Sequence, residues 1–387
     1  MKISKYISLA FALCLSVLFA SCEKDNSGSS SYHRVVILYL AANNNLSSYA
    51  ANNIVSLKEG YLPPVDDRDI LLVYSHLSGS NPKLLRLYKD NSGKAQEDVV
   101  VNFEKQNSAT PQVLENLLNK AKTIFPAEEY GLILWSHSSG WLPEGYYSNP
   151  AEFNAYMPDP YSGMVKSFGE DSGVEMEITD LSDAIPYHFS FIIFDCCFMG
   201  GIEGAYELKD KCDYIVASPT EILATGFPYD QIMKPLFENT ADLNETCEIF
   251  YNYYNGMSGA YKSATIAIYQ TDKLQKVAEE SKVIFNNNRS KIATLDMSKI
   301  QKYYRLDKHW FYDLSDLVKS IATPSEFYSF KTALNNAVIA KWTTGYFIDL
   351  PIESYSGIST YIQNPANTYL DNFYKGYHWN TESEMIK

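Results

Sequence analysis

Five continuous apolar runs constrain what this chain can fold into more than any other feature of its sequence. They are Arg34-Val-Val-Ile-Leu-Tyr-Leu-Ala41, Ile70-Leu-Leu-Val-Tyr-Ser75, Tyr130-Gly-Leu-Ile-Leu-Trp-Ser136, Phe189-Ser-Phe-Ile-Ile-Phe-Asp195 and Tyr214-Ile-Val-Ala-Ser218. A strand with one wet face alternates apolar with polar residues, whereas unbroken runs of this length are what strands covered on both faces look like. That is the parallel-sheet pattern. Helical patterns lie between the runs. Thr110 can cap, Pro111 suits a first turn, and Val113, Leu114, Leu117, Leu118, Ala121, Ile124 and Phe125 recur at helical spacing. Gly200 to Lys209 reads as another helix. Strand and helix in alternation predict an α/β sandwich with right-handed crossovers.

The ends of the chain read differently. Lys2 and Lys5 precede an uncharged apolar run from Ile7 to Ala20, the order of a secretory signal and too short to span a bilayer. Phe19-Ala20-Ser21-Cys22 resembles a bacterial lipobox, in which the cysteine takes a lipid and becomes the new N-terminus; the plainer alternative is an ordinary cleaved signal with an incidental cysteine. A polar tether follows, and Glu23 and Asp25 point to outer-membrane or surface placement. The expected organisation is a signal at 1–21, a tether at 22–32, a catalytic core at 33–240 and a C-terminal elaboration at 241–387. The elaboration carries Tyr- and Asn-rich helical segments and a strand-like Ala264-Thr-Ile-Ala-Ile-Tyr269 run, and is expected to pack on the sheet. Segment 140–172, rich in Gly, Pro, Tyr and Ser, is the longest irregular stretch.

Charge and cysteine usage exclude several classes. The formal charge is −14, and losing Lys2 and Lys5 with the signal takes it to −16, so the chain repels phosphate backbones and nucleic acid is not an expected partner. Only Cys196, Cys197, Cys212 and Cys247 remain in the body. They do not make a disulfide scaffold, and no Cys-x-x-Cys or His-x-x-x-His spacing suggests zinc.

In a parallel α/β sheet, ligands bind at the carboxyl ends of the strands. His137 follows the run ending Leu134-Trp135-Ser136, and Cys197 follows the run ending Phe194-Asp195-Cys196. If the two strands are neighbours, imidazole and thiol project from one edge, and that pair suits acyl transfer. A thiol attacks carbonyls as the thiolate, while an adjacent imidazole takes its proton and later protonates the leaving amine. On the residues alone, a small buried cysteine and a satisfied loop histidine explain the pattern about as well.

Phe194-Asp195-Cys196-Cys197-Phe198-Met199-Gly200-Gly201 resembles the Asp-x-Cys-Leu-Met signature of the clostripain-like cysteine peptidases, and Leu132-Ile-Leu-Trp135-Ser136-His137-Ser138-Ser139-Gly140-Trp141 is similar to that family's histidine loop. Leu40-Ala-Ala-Asn-Asn44, Tyr206-Glu-Leu208, Gly226-Phe-Pro-Tyr-Asp230 and Tyr312-Asp-Leu314 agree in order, so the resemblance covers residues 33 to 380. It implies a caspase-like three-layer sandwich with a mainly parallel sheet. Cys197 is then the nucleophile and His137 the general base and acid, and the backbone N–H groups of Ser138 and Cys197 hold the oxyanion. No cofactor is implied, and the partners are protein or peptide substrates. Asp195 either caps the following turn or lines the substrate pocket, and Ser218 is a second candidate for that lining.

Three departures from the family pattern stand out. Ser138 replaces the usual Gly after the histidine. Ala224-Thr225-Gly226-Phe227 replaces a Gly-Asp-Gly-Trp turn whose Asp is associated with recognition of Arg or Lys, and a neutral Thr225 cannot pair with a guanidinium, leaving Asp195, Glu221 or Glu203 to supply charge. Self-cleavage after a basic residue activates some family members, and Lys166 is the one basic residue between Gly140 and Asp171. The expected protein is thus an exported cysteine endopeptidase, lipid-anchored through Cys22 in the bacterial cell envelope. The alternatives are a catalytically idle peptide-binding lipoprotein of the same fold, or a thiol redox protein built on Cys196-Cys197.

Overall fold

The computed structural model describes residues 31–146, 169–305, 308, 310–364 and 366–387, and residues 32–387 form one compact unit. The signal at 1–21, Cys22 and Lys166 lie outside the described residues. Nine strands form one sheet. In chain order they are β1 (Tyr32–Ala42), β2 (Ile70–Leu77), β3 (Lys83–Lys89), β4 (Ala95–Asn102), β5 (Ala127–Trp135), β6 (Phe189–Asp195), β7 (Cys212–Ala217) and β8 (Thr265–Gln270), and after the two-residue β9 (Tyr312–Asp313), which lies outside the sheet, β10 (Val338–Thr343). The order across the sheet is β10-β8-β7-β6-β5-β1-β2-β3-β4. The five central strands β2, β1, β5, β6 and β7 are parallel, and they are the five apolar runs.

The unbroken apolar runs have a direct structural cause. Successive side chains of a strand point to opposite faces, and here both faces are covered. Val35, Ile37 and Tyr39 of β1 join one hydrophobic cluster and Val36, Leu38 and Leu40 the other, all fully buried. The helix Pro111–Ile124 packs Leu114, Leu117, Leu118 and Ala121 into the first cluster. The helices Ser47–Glu59, Tyr229–Leu236 and Leu243–Asn255 pack into the second. The result is a three-layer α/β sandwich.

The edges are antiparallel and were less legible. β3 and β4 form a hairpin on β2, and β4 is largely exposed, so its charged sequence carries no apolar run. At the other edge, the strand-like run at 264–269 becomes β8, which pairs antiparallel with β7 and then with β10. The residues after 240 therefore extend the sheet as well as packing on it, which covers the backbone edge that β7 would otherwise expose.

Arg34 opens the first apolar run yet is fully buried. Its guanidinium donates to Glu129 on β5 at 2.8 and 3.0 Å and to the backbone oxygens of Leu236, Glu238 and Asn239 at 3.1, 2.7 and 3.2 Å, so one cation ties β1, β5 and the turn after the helix Tyr229–Leu236. Removing the guanidinium leaves the backbone oxygens it serves without their donor, while Glu129, 41% exposed, can turn to water, at a cost of about 1–3 kcal/mol. Arg34→Met is expected to lower unfolding stability by about that amount in urea denaturation, and a loss within experimental error would show that the clamp contributes little.

Candidate active site

β5 and β6 pair in parallel, and the last rung of their ladder matches Trp135 with Asp195. His137 and Cys197 each follow their strand end by two residues. Neighbouring strands lie about 4.8 Å apart, so the two side chains emerge together at the carboxyl edge, and both line one pocket of about 180 Å³.

Cys197 opens a tight turn. Phe198 adopts φ +60°, a left-handed conformation that costs a bulky residue about 1–3 kcal/mol. It is held there because its N–H donates to Thr220 O at 2.9 Å, the N–H of Gly200 donates to Ser218 O at 2.8 Å, and its ring stacks on Phe311 with centroids 4.6 Å apart. The thiol is buried and meets the backbone of Ile222 twice, accepting its N–H at 3.4 Å and facing its C=O at 3.6 Å. Burial pushes the thiol pKa well up, and the nearby Glu221 carboxylate pushes it further. A thiol shifted in this direction depends on a base to become the nucleophilic thiolate.

The imidazole of His137 is nearly fully buried, and its Nε2 lies 2.6 Å from Oδ1 of Asn45. An amide oxygen accepts, so this contact places a proton on Nε2. Asn45 follows β1, which flanks β5 on the side away from β6. Asn45, His137 and Cys197 thus come from beyond the carboxyl ends of three strands adjacent in the sheet, and residues of these types can serve as orienting group, base and nucleophile. The N–H groups of Ser138 and Cys197 donate to no acceptor among the described residues. The Ser138 hydroxyl accepts the N–H of Gly140 at 3.2 Å, so the side chain that replaces the usual hydrogen braces the loop. Trp141 anchors the same loop, donating to Trp310 O at 3.1 Å and packing against Tyr361 and Tyr374.

Asp195 does not cap the turn after β6. Its Oδ2 accepts the N–H of Phe227 at 3.1 Å and the hydroxyl of Tyr229 at 2.9 Å, which binds the 225–229 segment into the pocket wall, and burial pushes its pKa up to about 7. Gly226, at φ +67°, lies against this carboxylate; a Cβ there would meet Oδ2 at 2.5 Å, so only glycine fits. Thr225 lines the pocket, and its hydroxyl bonds Tyr254 at 2.8 Å. Glu221 lines the pocket too and is gripped by Arg305, whose Nε and Nη2 donate to its two oxygens at 2.7 and 2.9 Å.

Two sequence candidates lie elsewhere. Ser218 is fully buried, bonds Thr265 at 2.8 Å and Thr220 at 3.2 Å, and is not among the residues lining the pocket. Glu203 is engaged with Thr360, Tyr361 and Tyr374, so it supplies no pocket charge. Among the described residues no group of three or more His, Cys, Asp or Glu side chains is placed to hold a metal ion.

The model of the Clostripain family matches residues 38–377. The chain belongs to the clostripain family. Clostripain of Hathewaya histolytica is 29% identical over 230 residues, covering 53% of this chain and 43% of clostripain, so the match spans less than half of that relative's length. Two solved family structures superpose over nearly their whole length. An inactive zymogen C11 protease from Parabacteroides distasonis has a TM-score of 0.78 at 32% identity, covering 90% of this chain and 97% of that one. A secreted C11 cysteine protease from Bacteroides thetaiotaomicron, in complex with an irreversible peptide inhibitor, has a TM-score of 0.77 at 29% identity, covering 91% and 99%.

Asn45 and Arg305 escaped the sequence reading. Asn45 ends the run Asn43-Asn44-Asn45 after the first apolar strand, a place where the strand-end rule would have looked. Arg305 had no such signal, because its partner lies 84 residues away.

The segment returning to the site is anchored beside His137. Gly169 N–H donates to His137 O at 3.2 Å, and Asn44 donates to Glu170 O at 2.8 Å. Asp171 accepts from Asn43, from the N–H of Ser108 and from His76 at 2.7, 2.7 and 3.1 Å. Burial alone would raise the Asp171 pKa, but these hydrogen bonds together hold it at about 2. A depressed carboxylate stabilises the fold above its unfolded pKa, and that stability is lost as pH falls from about 4 towards 2. Asp171→Asn is expected to flatten this acid arm in chemical denaturation across that range; an arm as steep as that of the unaltered protein would locate the acid sensitivity elsewhere.

Proposed function

We propose that this chain is a cysteine endopeptidase that hydrolyses peptide bonds through a thioester on Cys197. The observation that carries the reading is the shared height of His137 and Cys197 beyond the Trp135–Asp195 rung, with both side chains on one pocket. Its relation to a C11 protease captured with a peptide inhibitor supports peptides as the substrate class.

The mechanism follows from the geometry. His137 takes the thiol proton on Nδ1, and Sγ attacks the carbonyl carbon. The oxyanion that develops is met by the N–H groups of Ser138 and Cys197. His137 returns the proton to the amine, which leaves, and the acyl group remains on sulfur. Water, deprotonated by His137, then attacks the thioester and releases the acid and the thiol. Asn45 fixes the imidazole tautomer throughout. The thiol gives up its proton to His137 as the sulfur attacks.

The leader at 1–21 directs export, in keeping with the secreted relative, and Cys22 is the anchor residue to a lipid of the cell envelope. Lys166 is the basic residue at which the loop behind His137 would be processed.

Incubation of the purified protein with a diverse peptide library, read by mass spectrometry, tests the assignment. Cys197→Ala is expected to abolish cleavage, and His137→Ala to reduce it by about 10²–10⁴-fold. Asn45→Ala is expected to reduce kcat by up to about 100-fold with little change in KM, as for a misplaced base. Cleavage that survives Cys197→Ala would sink the reading.

A further inference from the structure

Within the peptidase reading, the structure also bears on what the substrate residue second from the cut bond touches. His137 hands its proton to the leaving amine, so the departing half of the substrate lies on the His137 side of the sulfur, towards β5 and β1. The acyl half runs the other way, over the edge formed by β7, β8 and β10. Three apolar side chains of the pocket wall come from that flank: Tyr261, shortly before β8, and Phe347 and Ile348, shortly after β10. Leu46 and Tyr49 come instead from the segment after β1.

Ile348 holds an unusual backbone. It opens the two-residue turn between Tyr346–Phe347 and Leu350–Pro351, which pair antiparallel, and its φ is +55°. Glycine is the ordinary residue at such a position, because the left-handed region crowds a β-branched side chain. Ile348 is held there all the same. Its N–H donates to the Ser263 hydroxyl at 2.7 Å, and that hydroxyl donates to Ala260 O at 2.7 Å, so one serine ties the turn carrying Ile348 to the one carrying Tyr261. Phe347 is fully buried, whereas Ile348 is half-buried and Tyr261 is 68% exposed, which leaves apolar surface open beside the reactive pair.

We propose that Tyr261, Phe347 and Ile348 form a shelf that receives an apolar side chain from the second substrate residue before the scissile bond. Such a side chain removes its own surface and that of Tyr261 and Ile348 from water, while glycine at the same position has no side chain to bury. The strain at Ile348 is the cost of presenting a branched side chain to the substrate where glycine would leave a gap. Ser263 is then a positioning residue, acting on specificity through the two turns that it joins.

Two peptidyl chloromethyl ketones, Leu-Lys and Gly-Lys, test this by their rate of covalent capture at Cys197, read as intact mass. They share the lysine next to the reactive group, which Asp195 can meet because it accepts only through Oδ2 and only from the neutral donors Phe227 N–H and Tyr229. The unaltered protein is expected to capture the Leu-Lys probe at least about tenfold faster than the Gly-Lys probe. Ile348→Gly suits the left-handed backbone and so keeps the fold, and Tyr261→Ser alters an exposed side chain. Each is expected to narrow the ratio at least about threefold by slowing the Leu-Lys probe, with the Gly-Lys rate held. Tyr346→Ser, on the same hairpin but not lining the pocket, is expected to leave the ratio as it is. A Leu-Lys probe captured no faster than Gly-Lys overturns the proposal, as does a ratio that neither Ile348→Gly nor Tyr261→Ser changes, and both results leave the peptidase reading intact. Capture of neither probe, by the intact chain or after cleavage at Lys166, with Cys197 still alkylated by iodoacetamide, overturns the peptidase reading and this inference with it.

Discussion

The pairing of β5 with β6 is the constraint on which the site depends. A parallel ladder with both faces buried cannot slip by one residue, because a slip would turn every side chain of the strand to the other face. The register is pinned locally as well. Gly131 sits opposite Phe191, and a Cβ at Gly131 would come within 2.2 Å of the Phe191 ring. The aromatic ring therefore occupies the space that the glycine leaves, and the ladder runs from there to the Trp135–Asp195 rung. The imidazole and the thiol reach one pocket because this register holds the ends of their two strands at one height.

Above that rung, the site is assembled from long-range contacts, each of which solves a burial problem. The strained Phe198 is held by hydrogen bonds to the 218–220 segment and by Phe311. The Ser138–Trp141 loop is braced by Trp310, Tyr361, Tyr374 and Tyr377. The abundance of tyrosine in the chain is explained in part by this cluster and by fully buried rings such as Tyr39, Tyr74 and Tyr269, which fill volume while their hydroxyls find partners. Strain beside Cys197 is thus held by an aromatic layer drawn from the last 90 or so residues.

The electrostatics follow the same logic. The pocket is dry enough to raise the pKa of both Cys197 and Asp195, and an unpaired carboxylate beside the thiol would raise the thiol's further. Arg305 offsets the charge of Glu221, whose neighbour Ile222 touches the sulfur with both backbone groups. Charge balance and thiol placement are therefore coupled through one dipeptide.

The residues that could be read in advance were those whose role is local. Continuous apolar runs announce strands buried on both faces, and the strand-end rule singles out His137 and Cys197, so the parallel sheet and the placing of these two residues beyond strand ends were determined by the sequence itself. The edge hairpin β3–β4 was not, because β3 buries only Leu84, Leu85 and Leu87 and β4 buries no residue, so neither needs a long apolar run. Asn45 lay one residue beyond a recognised segment, Ser218 turned inward to Thr265, and Asp195 bonded across to 227 and 229. The tertiary structure alone decided these points and the Arg305–Glu221 pair. Hydrogen bonds and ion pairs between residues tens of positions apart depend on distance and desolvation, and neither quantity is written in the spacing of the residues along the chain.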